Sequence, residues 1–367
     1  MNSGAARASQ SRLEIDLGAI VANWLSLKAR LRPGATCAGV VKADAYGLGA
    51  ARIGPALARA GCRIFFVAQL GEGIRLRPVL PAGCDIFVLN GVLPGEAPEF
   101  RAAGLHPVLN DPAQIALWSG YASSVGIALP AVLHVDTGMS RLGLSQGDAR
   151  RVAADPDALA GIELRFVMSH LARAEEEVAM NATQLAEFTM ATSLWLGIPA
   201  SLANSSGIFL GNDFHFDLAR PGAALYGINP IPGRPNPQLP VAMLSAPVLQ
   251  LRDIAPPRSV GYGATYQAAG PSRVATIACG YADGWLRGLS NRGGAVFAGQ
   301  TLPFIGRVSM DLITLDASNV RDLAVGDHVE LLGPARPVDA IADEAGTNGW
   351  EILTRLGSRA ARSYRPA

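Results

Sequence analysis

From residue 36 to about 228 the chain alternates short apolar runs of β type with Ala/Leu-rich helical stretches, and this period limits its fold more than any other feature. The runs TCAGVVK, RIFFVA, DIFVLN, LHPVLN, LPAVLHVD, IELRFVMS and PASLAN, with AALYGI as a weaker eighth, are separated by segments such as IGPALARA, AQIALWSG and QLAEFTMATSLWLG. Strands that read as near-continuous hydrophobic runs are buried on both faces, as in parallel sheets covered by helices. Eight βα units in about 190 residues predict a closed TIM-type (β/α)8 barrel, with an open doubly wound sheet as the rival.

The pattern changes at IPGRPNPQLP (residues 231–240), which reads as a linker. Beyond it, MLSAPVLQLRDI, SRVATIACG, GAVFAGQTLPFIG, LITLDA and GDHVELLG predict a mostly antiparallel β domain over 241–367, closed by a short helix near EILTRLGSRAA. The opening RLEIDLGAIVANWLSLKARL predicts a strand and an amphipathic helix. Residues 1–11 are read as a disordered lead-in and 12–230 as the barrel unit, with its first strand, about residues 12–17, free to pack on the C-terminal domain. The expected class is therefore α/β: an N-terminal TIM-type (β/α)8 barrel followed by a mostly β C-terminal domain.

Lys+Arg total 31 and Asp+Glu 30, a net charge of +1 that gives no footprint for nucleic acid or an anionic membrane. No apolar stretch approaches the ~18 residues of a membrane span, and the N-terminus lacks the apolar core of a secretory signal. Cys37, Cys62, Cys84 and Cys279 show no CxxC spacing and read as buried free thiols. A cytoplasmic enzyme without a metal site is expected.

Lysine occurs only at Lys28 and Lys42, so chemistry that needs a side-chain amine has two candidates. Lys42, in GVVKADAYGLGA, falls at the end of the first barrel run, where strand C-termini face the active site of such barrels. Burial lowers an amine's pKa and favours Schiff-base formation with an aldehyde cofactor. Position alone leaves a surface loop lysine and a cofactor lysine both open. Later strand ends carry HVDTGMSRLG with Asp136 and Arg141, MSHLA with His170, ANSSG with Asn204 and Ser205, and DLARPGAALYG with Arg220 and Gly222. Phosphates commonly bind near strands seven and eight, and ANSSG and RPGA supply hydroxyls, backbone N–H groups and small side chains there.

VVKADAYGLG, VDTGMSRLG, SHLA, ANSSG, RPGAALYG, VGYGATY, GYADGW and GRVSMD occur in the order found in alanine racemases, and Tyr364 near the end also fits. The chain resembles that family over nearly its whole length. The resemblance implies a pyridoxal phosphate (PLP) barrel joined to a β domain, acting on a small amino acid. Lys42 would bind the cofactor and serve as one proton-transfer base, with Tyr262 as the other on the opposite face. Tyr46, Ser205, Gly222, Ala223 and Tyr364 would surround the phosphate, and Asn204 would also be cofactor-binding. His170 would lie against the cofactor ring, Arg141 near its phenolic oxygen and Arg220 at its pyridine nitrogen. Tyr281, Met310, Asp311 and Arg141 would meet the substrate, with Arg287 and Arg307 lining the approach. A head-to-tail homodimer is implied, in which Tyr262, Tyr281, Met310 and Asp311 complete the partner's site.

One position departs from the family pattern. Many members carry a carbamylated lysine two residues before the VDTGM aspartate, where this chain has His134. A small anion or His134 itself is expected to support Arg141, against the plainer reading of a packed strand histidine. A racemase of the same build for serine or a longer amino acid is the first rival. A non-catalytic PLP carrier would lack the second domain, and a barrel-type decarboxylase would place an acid where RPGA places Arg220.

Overall fold

The computed structural model describes residues 10–367. The expected lead-in thus lies outside the described residues except for Gln10 and Ser11, and Ser11 is buried, its hydroxyl donating to Ala278 O at 2.7 Å. The first barrel run forms β2 (Thr36–Cys37) and β3 (Gly39–Val40), one strand interrupted at Ala38, after β1 (Arg12–Asp16) and the helix Leu17–Arg30. The next six runs form β4 (Ile64–Val67), β5 (Asp85–Val88), β6 (His106–Leu109), β7 (Leu129–His134), β8 (Ile162–Met168) and β9 (Ala200–Ser201). Strands β3 to β9 pair in chain order, each parallel to the next.

The ring closes through β10 (Leu218–Ala219), which runs parallel to β2. On its other side Asp217 N–H donates to Ala200 O at 3.0 Å and Arg220 N–H to Ala203 O at 2.8 Å. A closed barrel forms, not an open doubly wound sheet. Its interior is filled by aromatic packing, with Phe87 against Phe166 at 4.9 Å and against Phe66 at 5.4 Å between centroids.

Two expectations are corrected. AALYGI is not the eighth strand, because Ala223–Tyr226 is a tight helical turn and the strand precedes it. Gly222 and Ala224 turn their N–H groups to Ser205 Oγ at 3.0 and 3.1 Å, so the chain curls there instead of pairing. A fully buried apolar run gives no period by which to tell the two apart. The helical stretch expected to reach residue 197 belongs to the helix Ala179–Thr192, and Leu196 beyond it is exposed.

The second sheet centres on β11 (Ala242–Ile254), thirteen residues long. Around it lie β12 (Ser259–Val260), β13 (Tyr266–Gln267), β14 (Ser272–Ile277), β15 (Gly294–Phe297), β16 (Gln300–Pro303), β17 (Ile313–Asp316), β18 (His328–Leu332) and β19 (Ala361–Arg365). Register shifts within β11 let it pair with β18 and β1 toward its start and with β14 toward its end. β1 sits between β11 and β19, so the chain begins in the β sheet before entering the barrel. The closing helix is Gly349–Arg355, and the sequence reading missed a second one, Val338–Ala345.

Asn23, buried on the first helix, ties this junction. Its amide donates to Leu225 O at 3.3 Å and Leu239 O at 2.9 Å and accepts from Leu239 N–H at 2.8 Å. Asn23→Ala leaves these buried groups without partners, so urea denaturation should show a loss of about 2–3 kcal/mol.

Candidate active site at the barrel mouth

Lys42 follows β3 directly, and the next four residues make one turn of left-handed backbone, with φ of 51° at Ala43, 53° at Asp44, 54° at Ala45 and 57° at Tyr46. Such a turn costs roughly 1–2 kcal/mol per L-residue, so its neighbours must hold it. Glu72 Oε1 accepts from Ala43 N–H at 2.7 Å while Oε2 accepts from Ala68 N–H at 2.7 Å. Asp44 Oδ1 accepts from Ala50 N–H at 2.7 Å, opening the next helix. Gly47, at φ 82°, passes so close to the helix Gly349–Arg355 that an added methyl would stand 2.6 Å from Leu353 O. The turn puts the Lys42 amine on the wall of a cavity of ≈ 580 Å³ at the strand C-termini. Burial first, and the Arg141 charge second, pull the Lys42 pKa below its ordinary value, although Glu72 opposes this.

Tyr46, Arg141, His134, His170, Asn204, Ser205, Arg220, Gly222 and Ala223 share that cavity with Lys42. At one end Gly222 allows close approach, since a methyl there would lie 2.5 Å from the Tyr46 hydroxyl. Ser205 Oγ gathers the Gly222 and Ala224 N–H groups, and the Ala223 N–H between them has no acceptor among the described residues. Asn204 uses its side-chain oxygen to accept from Gly207 N–H at 2.9 Å, a turn-capping role. The end is small, polar and rich in N–H groups, the chemistry that suits a phosphate.

At the other end Arg220 is buried, donating to Ser169 O at 2.5 Å and to Ser201 Oγ. Desolvation pulls its pKa down to about 9, which leaves it charged at neutral pH. His170 is driven well below the usual histidine range, first by burial and then by the Arg220, Arg141 and Lys42 charges, so its imidazole is neutral. Asp136 Oδ1 accepts from the N–H groups of Gly138, Met139 and Ser140 at 2.9–3.1 Å and shapes the loop that carries Arg141.

His134 does not hydrogen-bond Arg141. Asn110 Nδ2 lies between Val108 O at 2.9 Å and Leu89 O at 3.1 Å, so its Oδ1 faces His134 Nδ1 at 2.8 Å as acceptor. That fixes the proton on Nδ1, and burial lowers the ring's pKa to about 4. The packed strand histidine describes it.

The remaining expected residues lie elsewhere. Tyr262, 73% exposed in the turn between β12 and β13, lines a separate cavity of ≈ 670 Å³ with Tyr281, Arg287 and Arg307. Met310 is 54% exposed beside it, and its carbonyl accepts from Ala282 N–H at 2.9 Å. Asp311 is engaged by Arg359 at 2.8 Å. Tyr364 is not at the barrel cavity: its hydroxyl donates to Leu48 O at 3.1 Å.

Three contributors escaped the sequence reading. Trp350 and Thr354 reach the cavity from the β domain's helix, where no local motif marks them. Glu175, the one acid lining it among the described residues, sits in a Glu-Glu-Glu run that looks like solvated surface. Lys42, Arg141 and Arg220 therefore face a single carboxylate, which suits an anionic occupant. No group of three or more His, Cys, Asp or Glu is placed to hold a metal among the described residues.

Residues 15–230 match the family profile described as alanine racemase, N-terminal domain, and residues 241–364 that of the C-terminal domain. A catabolic alanine racemase of Mesorhizobium japonicum is 53% identical over 97% of this chain and 94% of its own length. An alanine racemase of Rhodospirillum rubrum is 51% identical over 96% and 95%. The crystal structure of alanine racemase from Bartonella henselae with covalently bound pyridoxal phosphate superposes with a TM-score of 0.94 at 42% identity, covering 97% of this chain and 99% of that one. Both halves of the chain, the cradle around Lys42 and these relatives agree: the chain belongs to the alanine racemase family.

Proposed function

We propose that this chain is a PLP-dependent racemase of alanine in which Lys42 and Tyr262, the latter from a second copy, act as bases on opposite faces of the substrate. The observation that carries the reading is the lysine amine, depressed in pKa, on the wall of a cationic cavity whose far end offers N–H groups, a serine and a tyrosine. When bound, the cofactor would draw electrons from the substrate's α-carbon and make its proton removable. The fit is good, with Lys42 to hold its aldehyde carbon, Tyr46, Ser205, Gly222 and Ala223 its phosphate, and Arg220 its ring nitrogen.

This chain's residues then have distinct tasks. A lowered pKa gives the Lys42 amine a larger neutral fraction, as both covalent capture and proton abstraction require. Racemisation needs a second proton carrier on the other face. Tyr262 suits that task, but its own chain puts it in a different cavity from Lys42. A two-fold, head-to-tail pairing brings the Tyr262 surface of one copy over the barrel mouth of the other, with Tyr281, Met310 and Arg307 beside it. Arg220 cannot accept a proton, so it would hold the ring nitrogen without protonating it, which would favour return of the α-proton over other outcomes.

We read 12–230 as the cofactor unit, 231–240 as its connection and 241–367 as the domain that delivers Tyr262. Four buried free cysteines suit a reducing compartment, the cytoplasm in this reading. The reaction is reversible, so one site serves supply of D-alanine to the cell wall or its breakdown.

Incubating the PLP-loaded protein with a panel of L-amino acids, read by chiral chromatography, should give D-alanine as the main product; D-serine or D-lysine ahead of it overturns the substrate assignment. Lys42→Ala should lose the visible absorbance of covalently held cofactor, and retention of it would shift the attachment to Lys28. Lys42→Ala and Tyr262→Ala chains, each inactive alone, should regain about a quarter of wild-type activity when unfolded and refolded together, because half the dimers are mixed and each mixed dimer holds one intact site. No recovery would mean that the two bases do not come from different copies.

A further inference from the structure

Residues 169–178, between β8 and the helix Ala179–Thr192, form no helix or strand, yet His170, Leu171, Ala172 and Glu175 among them all line the barrel cavity. The His170 ring makes no hydrogen bond among the described residues, and burial beside the Arg220, Arg141 and Lys42 charges keeps it neutral. Its orientation therefore rests on the backbone that carries it.

Two buried amides, three residues apart on one face of the helix Ala179–Thr192, hold that backbone. Asn181 donates to Arg173 O at 3.2 Å and to Glu176 O at 2.7 Å. Gln184, only 1% exposed, grips the part nearest the strand. Its Oε1 accepts from Ala172 N–H at 2.9 Å, and its Nε2 donates to His170 O at 3.0 Å. The second Nε2 hydrogen reaches across to the end of β7, where Thr137 Oγ1 lies at 3.2 Å. Thr137 Oγ1 shares a further hydrogen bond with Ser169 Oγ at 2.7 Å, and Ser169 O accepts from Arg220 at 2.5 Å. The same helix packs under the loop that carries Arg141, since a methyl added to Gly138 would stand 3.6 Å from Met180 Cε and 3.9 Å from Gln184 Cγ. Thr137, Ser169 and Gln184 are all buried and all hydrogen-bonded, and a buried polar network satisfied in this way fixes one arrangement of the groups it joins.

We propose that Gln184 is a positioning residue of this site, its carboxamide setting the His170 ring and tying the segment that bears it to the segments that bear Arg141 and Arg220. The proposal rests on the PLP reading above. Gln184 does not line the cavity, so it acts through these three residues and touches neither cofactor nor substrate.

The test compares wild type, Gln184→Met, Thr137→Val and the double variant, each loaded with pyridoxal phosphate. Visible circular dichroism of the lysine-bound cofactor, kcat and KM for L-alanine, and the thermal midpoint are measured on each. Methionine keeps the length of the side chain and removes all three hydrogen bonds, whereas Thr137→Val is isosteric and cuts only the crossing to β7. The dichroism per bound cofactor reports how the ring is set in its surroundings, which a loss of stability alone does not move. Gln184→Met should alter that dichroism and lower kcat by about tenfold or more, with KM changing by less than about threefold. Thr137→Val should do the same to a smaller extent, and the double variant should lose less than the product of the two single losses, because both cut one network. A lower thermal midpoint with wild-type dichroism and kcat would make Gln184 a structural support only and overturns the proposal, as does a double variant whose loss equals that product. Should Gln184→Met fail to fold, Thr137→Val carries the test, and wild-type dichroism and kcat in it overturn the proposal. Failure of wild type to form the chromophore would bring down the cofactor reading itself, a result distinct from a normal wild type with indifferent variants.

Discussion

The placement of Lys42 depends on a backbone turn that L-residues resist. Ala43 to Tyr46 all take left-handed dihedrals, at a combined cost of roughly 4–8 kcal/mol. Compensation comes from several directions. Glu72 accepts from Ala43, Ala68 and Gln69 N–H groups, and such charge-assisted bonds are worth about 1.5–3 kcal/mol each. Tyr46 packs its ring against Tyr226 at 4.7 Å, and the Tyr226 hydroxyl donates to Val40 O at 2.9 Å, on the strand that leads into Lys42. Across this left-handed turn Lys42 and Tyr46 line the same cavity, with the Tyr46 hydroxyl close against Gly222.

Electrostatics follow from the same enclosure. Among the described residues lining the cavity Glu175 is the one acid beside Arg220, Arg141 and Lys42, Glu72 acts on Lys42 from outside that wall, and both histidines are pushed to the neutral form. The cavity wall thus carries an excess of positive charge, which suits a negatively charged occupant. Where relatives with a carbamylated lysine would add a fixed anion, His134 is locked on Asn110 and adds none. Arg141 consequently has no carboxylate partner among the described residues, and it lines the cavity without an ion pair.

Much of this was legible in the sequence, for identifiable reasons. Seven barrel runs carried a plain signal because parallel strands buried on both faces are continuously apolar. The eighth failed because Leu218–Ala219 is only two residues long, while the longer apolar run after it is a buried turn. Lys42, His170, Ser205 and Arg220 were found because strand C-termini are a fixed location in this architecture. Trp350 and Thr354 were not, since they arrive from a helix some 300 residues later in the chain, and tertiary packing of that kind leaves no local pattern. Tyr364 illustrates the reverse error: its place in the sequence fitted the phosphate site, but β19 holds its hydroxyl on Leu48 O.

The two domains are joined more firmly than a single linker would allow. β1 lies between β11 and β19 in the β sheet, yet runs directly into the first barrel helix, with the Asp16 side chain accepting Ala19 N–H at 2.8 Å as its cap. Asn23 fastens that helix to Leu239, and the helix Gly349–Arg355 returns from the β domain to Gly47. On the β domain's far surface, Arg359 spans Asp283 and Asp311, while Asn291 accepts from Gly306 N–H at 2.6 Å and donates to Thr265 at 3.2 Å. The loops bearing Tyr262, Arg307 and Met310 are therefore braced against one another on one side of a rigid joint, and Lys42 is fixed on the other. If Tyr262 serves a second copy as proposed, its aim is set by the accumulated stiffness of everything between the two sites, and slack in that chain of contacts would move the hydroxyl by more than a proton transfer tolerates.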